Sequence, residues 1–302
     1  MLGPATGQGT RMTVDLVLLQ LFTGLALGAI YVLLAVGLSL IFGMLTVVNF
    51  AHGAFFMLGA YAGVVVLGLT QNFWAAMLLA PLAVAAVGMV CERWLIRPLY
   101  GRGIDYPLLL TFGLAYMLVE AVRMLFGRAG LPFDTPEALA GFTNLGFADF
   151  PTYRLFIIAV TIVLLLALWL LIEKTAFGLI VRAGARDPVI VRVLGIDVSR
   201  VWLLVFGLGT GIAALAGVLA APLQGVSPEM GTSVLIVAFV VTVVGGMGSL
   251  MGAVVAGLLV GVAESMSVLF FPEAAKVSMF VIMAAVLLWR PQGLFGRSGL
   301  LA

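Results

Sequence analysis

Charge is what this chain has least of. Only 9% of its 302 residues are Asp, Glu, Lys or Arg, against about 25% in a soluble globular domain. That leaves too little polar surface to cover a packed core in water. The net charge is +2, without a dense basic patch, which speaks against a nucleic-acid partner. Cys91 is the sole cysteine, so neither an intramolecular disulfide nor a four-cysteine zinc site can form, and it reads as a small buried apolar residue. His52 is the sole histidine, and it offers little acid–base machinery. The hydrolase patterns His-Glu-x-x-His and Gly-x-Ser-x-Gly are missing, as is the phosphate-binding Gly-x-x-x-x-Gly-Lys-Ser/Thr loop. Neither an intramembrane enzyme nor an ATPase is therefore written here, and the residues suggest neither a catalytic nor a metal site.

What is present is apolar length. Hydrophobic residues make up 64% of the chain, and mean hydropathy is +1.26. A bilayer demands roughly 20 apolar residues per helix. Apolar runs cover about 14–42, 53–70, 73–92, 107–126, 154–172, 201–222, 232–248, 250–270 and 276–289. The expected fold is all-α and polytopic, with eight to nine transmembrane helices and some broken or re-entrant segments, a re-entrant one being expected in 232–270. The 37 glycines suit helices whose backbones approach closely. Residues 1–13 read as a leader, with Met12 an alternative start. The run from Val14 is too long for a signal-peptide core. Residues 14–289 read as one transmembrane domain, and 290–302 as a tail.

Ten of the 15 basic residues lie on one side of a nine-span chain. Arg93, Arg97 and Arg102 share one loop. Lys174, Arg182, Arg186, Arg192 and Arg200 share another, and Arg290 and Arg297 lie in the tail. The positive-inside rule makes that side cytoplasmic, with the N-terminus outside and the C-terminus inside. Two loops are long: an outer one over 127–153 and an inner one over 173–200.

The stretch Gly43–Gly53 interrupts two apolar runs with Asn49, His52 and glycine. Irregular backbone at membrane depth survives only where protein buries it or a wet cavity solvates it. Asn49, His52 and Gly53 are therefore candidate pathway or gating residues. The i, i+3 spacing of Asn49 and His52 suggests a side-chain bridge across the break. Glu264, inside the eighth span, is a further candidate for a pathway or subunit interface, against a plain helix-end hydrogen bond. Glu120 and Arg123, also i, i+3, are placed to pair near the outer end of their span. A faint internal echo links Gly24, Gly28 and Gly37 before this break to Gly207, Gly211 and Gly217 before Pro222–Pro228, as inverted repeats would.

In the inner loop, Asp187 is a natural N-cap, Pro188 suits the first helical position and Gly195 suits the stop. Between them Val189, Ile190, Val193 and Leu194 form an apolar face flanked by Arg186 and Arg192. Two turns are not stable alone. That face must meet a partner protein, the lipid headgroups or the protein's own helix ends.

These residues also carry a resemblance. Thr175-Ala176-Phe177-Gly178, Arg182-Ala183, Asp187 and Leu194-Gly195-Ile196 resemble the cytoplasmic loop of branched-chain amino acid ABC-importer permeases of the LivH type. So do Asn49-Phe50-Ala51-His52-Gly53 with Met57-Leu58-Gly59-Ala60-Tyr61, Gly245-Gly246-Met247-Gly248-Ser249 with Gly252 and Gly261-Val262-Ala263-Glu264, and the tail Arg290–Gly296. Ala54 departs from an acidic residue common there, and Val191-Arg192 from smaller ones. The resemblance implies a prokaryotic inner-membrane transport subunit without a directly bound cofactor. ATP would be hydrolysed by two partner ATPases, and a second permease and an extracytoplasmic binding protein would complete the complex. It implies an ATPase-coupling role for Gly178, Arg182, Asp187, Pro188, Ile190, Val193, Leu194 and Gly195. The implied cargo is leucine, isoleucine or valine, with urea or short amides as the alternative. A stand-alone secondary transporter is a weaker one, since Glu264 alone would have to couple an ion.

Overall fold

The computed structural model describes the backbone of residues 6–296 and the side chains of 14–296. Arg297, the rest of the tail, residues 1–5 and the side chains of Arg11 and Met12 lie outside the described residues. Helix α1 (Thr6–Leu45) begins within the leader segment. It is followed by α2 (His52–Thr70), α3 (Phe73–Cys91), α4 (Asp105–Phe126) and a short antiparallel hairpin, β1 (Phe142–Asn144) and β2 (Asp149–Pro151). Then come α5 (Thr152–Lys174), α6 (Ala176–Arg186), α7 (Pro188–Val193), α8 (Val198–Gln224), α9 (Met230–Gly245), α10 (Leu250–Phe270) and α11 (Val277–Trp289).

All nine apolar runs become helices. Seven of them are long and apolar enough to cross a bilayer among the described residues: α1, α2, α3 with its extension to Leu99, α4, α5, α8 and α10. The other two, α9 and α11, span 16 and 13 residues. Short α9 falls in the 232–270 stretch where a re-entrant segment is expected, whereas α10, in the same stretch, is a full-length span and α11 lies beyond it.

Two helices sit at the centre. The most apolar windows of α1 and α8 are 89% and 78% buried, while those of α3, α4 and α5 are below a third. The exposed faces of the peripheral helices carry Leu109, Met117, Val163, Leu166 and Leu288, as lipid contact requires. Lipid is as apolar as leucine, so helices associate here by close packing rather than by escaping water. The centre is accordingly narrow. Where α1 and α8 cross, a Cβ at Gly37 or at Gly209 would lie 2.7 Å from the other's carbonyl oxygen. The paired glycines Gly24/Gly28 of α1 and Gly257/Gly261 of α10 face one another in a second tight crossing.

The faint echo in sequence is an inverted arrangement in space. Each central helix ends in a break, Thr46–Ala51 after α1 and Gly225–Glu229 after α8. The helices that follow, α2 and α9, leave the breaks in opposite directions. Next, α3 packs along α8, and α10 packs along α1. Of the two remaining spans, α4 packs beside α2 and α5 leads to the α6–α7 loop.

The basic loops gather at one end. Met44 at the end of α1 touches Gly184 of α6, and Gly43 meets Gly248 before α10. The tail returns to the same end, where the N–H groups of Leu294 and Phe295 donate to the carbonyls of Val244 and Gly245 at 2.8 and 3.0 Å. At the opposite end Leu131 of the long outer loop exchanges two backbone hydrogen bonds with Val226, at 2.7 and 3.0 Å, so this loop is a structured cap over the second break.

Candidate gate and coupling surface

After Leu45 the chain turns at Thr46, which takes φ +51°, and runs back alongside α1. His52 Nε2 then donates to the Leu34 carbonyl at 3.0 Å. A carbonyl only accepts, so Nε2 carries the proton. Leu34 lies eleven residues before the end of α1, and at 1.5 Å per residue α2 starts about 16 Å inside that end. The break is thus buried in the bundle, and Asn49 and His52 are both 0% exposed.

Its backbone groups find partners nearby, as a break at this depth demands. The Asn49 side-chain oxygen accepts from the Ala51 N–H at 3.1 Å. Thr111 of α4 supplies more: its hydroxyl accepts from the Phe50 N–H at 3.1 Å, and its one proton is shared between the Val48 carbonyl of the break at 3.2 Å and the Leu108 carbonyl of α4 at 3.1 Å. The expected Asn49–His52 side-chain bridge is not formed. Their link is through the main chain, the His52 N–H donating to the Asn49 carbonyl at 3.1 Å. The reason is geometric: the imidazole points across to α1, while the Asn49 amide folds back on its own turn. Asn49 Nδ2 and His52 Nδ1 have no partner among the described residues.

Gly53 brings the two breaks together. A Cβ there would collide with the Gly231 carbonyl, and one at Gly231 would lie 2.7 Å from the Gly53 carbonyl. The start of α2 therefore rests on the start of α9. Phe50, beside it, stacks on Phe239 of α9 with ring centroids 4.9 Å apart. On the far side, a cleft of about 170 Å³ lies among Gln224, Ser227, Glu229, Met230 and Ser233. Glu229 there pairs with Arg123 at 3.0 Å, and Arg123 also pairs with Glu120 as the spacing predicts. Glu264 does not join this group. It is partly buried on α10 and accepts from the Tyr31 hydroxyl of α1 at 2.7 Å.

The coupling candidates are contiguous. Thr175 caps α6 by accepting from the Gly178 N–H at 3.2 Å, and Gly178 packs against the Ile172 carbonyl at the α5–α6 corner. Arg182 donates to that carbonyl and pairs with Glu173 at 3.2 Å. Asp187 caps α7, its Oδ1 accepting from Val189 and Ile190 at 2.9 and 3.0 Å. Gly195 ends the segment at φ +80°. The apolar face is outward: Val189, Ile190, Val193 and Leu194 are 63, 58, 81 and 71% exposed. Val191 is the inward anchor at 3%.

Sequence reasoning missed a cluster at the foot of α3. Residues Glu92–Ile96 form a π-helical turn. Its i→i+5 bonding stacks Arg97 beneath Glu92. The Glu92 carboxylate is 0% exposed. It accepts from Arg97 Nε and Nη2 at 3.2 and 2.8 Å and from the Tyr100 hydroxyl at 3.1 Å. Burial first, and then the Glu92 charge, hold the Tyr100 phenol well above its ordinary range, which keeps it a donor. An acid five residues before an arginine at a span end was the available signal, but in an ordinary α-helix that spacing does not pair.

Broken helices meeting inside a glycine-packed bundle, with an exposed capped helix at one end, define a multi-pass membrane transport protein of the permease class. Residues 20–288 match the family described as the branched-chain amino acid transport system, permease component, and the chain belongs to that family. It is 32% identical over 92% of its length to the high-affinity branched-chain amino acid permease protein LivH of Salmonella typhimurium, covering 95% of that protein. The same values hold for BraD of Pseudomonas aeruginosa. LivM of Escherichia coli is 28% identical over 94% of this chain and 70% of its own length.

Proposed function

We propose that this chain is the membrane-spanning subunit of an ATP-driven importer that carries leucine, isoleucine and valine into the cell across a prokaryotic inner membrane. The α6–α7 loop faces the cytoplasm and seats an ATPase subunit. A second permease of the LivM kind, two ATPases and an extracytoplasmic binding protein complete the machine. The observation that carries the reading is α7 itself. It presents four apolar side chains outward from a helix too short to stand alone, held by its own caps and by Val191. Its relatives are transport permeases by name.

In this reading the ATPases close and push α7. The thrust tilts α1 and α8 about their glycine crossing. Asn49, His52 and Gly53 act as a gate, because the two breaks touch at Gly53 and Gly231 and part when the central helices tilt. Glu264 lines the pathway or the interface with the second permease. Hydrophobic cargo suits such a route, since it asks for few polar groups along the way. The test is uptake of labelled leucine and of labelled urea by vesicles holding the whole complex. Saturable, ATP-dependent leucine uptake is expected. Uptake of urea but not leucine would overturn the cargo, and uptake without the ATPases would overturn the importer class.

A further inference from the structure

We propose that Thr111, Trp202 and the ionic knot around Glu92 form the mechanical link that carries movement of α7 to the first break, making Thr111 and Trp202 positioning residues for transport. This rests on the coupling role of α7 given above.

The link can be followed residue by residue. The Arg192 guanidinium of α7 lies 5.3 Å from the ring centroid of Trp202 on α8. Trp202 meets Tyr100 edge-on, with ring centroids 4.9 Å apart and planes at 82°. Tyr100 donates to Glu92 at 3.1 Å, and Arg97, clamped on the same carboxylate, also donates to the Ser199 carbonyl of α8 at 3.0 Å. The foot of α3, the turn before α4 and the start of α8 are thus tied at one buried charge. A buried carboxylate is held only with all its partners in place, so these three segments shift together or the charge is exposed.

The turn leads straight into α4, which begins at Asp105. Less than two turns on, the Thr111 hydroxyl accepts from the Phe50 N–H of the break at 3.1 Å and shares its proton between the Val48 carbonyl at 3.2 Å and the Leu108 carbonyl of its own helix at 3.1 Å, so the break is held to α4 at one side chain. A helix transmits an axial shift along its length, so a push on α7 arrives at the break. The space for that movement is present. A cleft of about 340 Å³ is lined by Thr46 and Val47 of the break, Tyr100 and Ile104 of the turn, and Pro188 and Trp202 of the coupling region.

A plain structural staple would lose protein when cut. A link would lose the ratio of transport to ATP hydrolysis. The experiment therefore reads uptake per ATP hydrolysed in vesicles holding the full complex with loaded binding protein, normalised to assembled complex. Thr111→Val keeps shape and removes the hydroxyl, while Thr111→Ser keeps it. Trp202→Leu cuts the link on the other side of the knot. Networks of this kind change coupling by roughly three- to tenfold when one member is lost, and that fall is expected for Thr111→Val and Trp202→Leu, with stimulated hydrolysis retained and Thr111→Ser near wild type. An unchanged ratio in either variant, or no recovery in Thr111→Ser, overturns the link. If Thr111→Val lowers the amount of complex, the ratio is read on what remains, and Trp202→Leu decides. The paired Val193→Asp/Leu194→Asp variant is the control. If it keeps its ATPases and its uptake, the coupling reading itself fails and takes the link with it. If it loses them while the ratio in Thr111→Val is unchanged, only the link fails.

Discussion

His52 and Gly53 are neighbours in sequence, yet their substitutions should cost different things. His52 gives one hydrogen bond to a carbonyl of α1 that is itself inside a helix. Replacing it with leucine removes a buried donor and leaves that carbonyl with its helical partner, a loss of about 1 kcal/mol at the low end of such deletions. Gly53 sits against backbone of α9, which cannot yield as a side chain does. Valine there adds a branched side chain at a main-chain contact, and overpacking of this kind costs about 1–3 kcal/mol. Both variants are expected to insert and to bind their ATPases. Uptake per assembled complex should fall modestly for His52→Leu and severely for Gly53→Val, and the check is uptake normalised to ATPase co-recovered with the permease. Equal, normal uptake in both would remove the break from the transport cycle and leave His52 a packing residue.

At the scale of elements, α7 is the clearest case, because nearly everything that shapes it is local. Asp187, Pro188 and Gly195 set its ends, and the spacing of its apolar residues sets its face. Asp at Val193 and Leu194 would sit in solvent in the isolated subunit, where both positions are mostly exposed, so insertion should not suffer. In a partner's groove the same charges would be buried without a counter-ion, a penalty of roughly 3–5 kcal/mol. ATPase co-purification should therefore collapse, and stoichiometric recovery would refute the coupling role. The same contrast explains what sequence left hidden. The spans were legible from composition and the breaks from polar residues amid apolar ones. The Glu92 knot was not, because it needs a π-turn, Tyr100 beyond it and a carbonyl about 100 residues away. Nor was Thr111, the single threonine of a mostly apolar helix, whose meaning appears only once Val48 and Phe50 lie against it. The Asn49–His52 bridge failed for a related reason. Spacing along the chain says which side chains share a face in a helix, and this segment is not one.

At the scale of the whole molecule, the ends of the bundle differ in charge. Arg93, Arg97, Arg102, Lys174, Arg182, Arg186, Arg192, Arg200 and Arg290 fall at the end that holds α6 and α7, and Arg123, Arg128, Arg154 and Lys276 at the other. Short loops rich in Lys and Arg stay on the cytoplasmic side during insertion. The two long central helices force the rest, since α1 and α8 run antiparallel and their breaks face opposite ends. A reversal of the molecule would therefore turn the α7 face away from any cytoplasmic ATPase. Single cysteines test this in a Cys91→Ala background. Arg200→Cys, at a position 84% exposed in its side chain, should react with an impermeant thiol reagent only when the cytoplasmic face is open. Ala140→Cys, exposed in the outer cap, should react in intact cells. The split ought to be nearly complete at both sites, because each lies beyond the ends of the spans. Labelling of Arg200→Cys from outside intact cells would invert the molecule and with it the proposed direction of coupling.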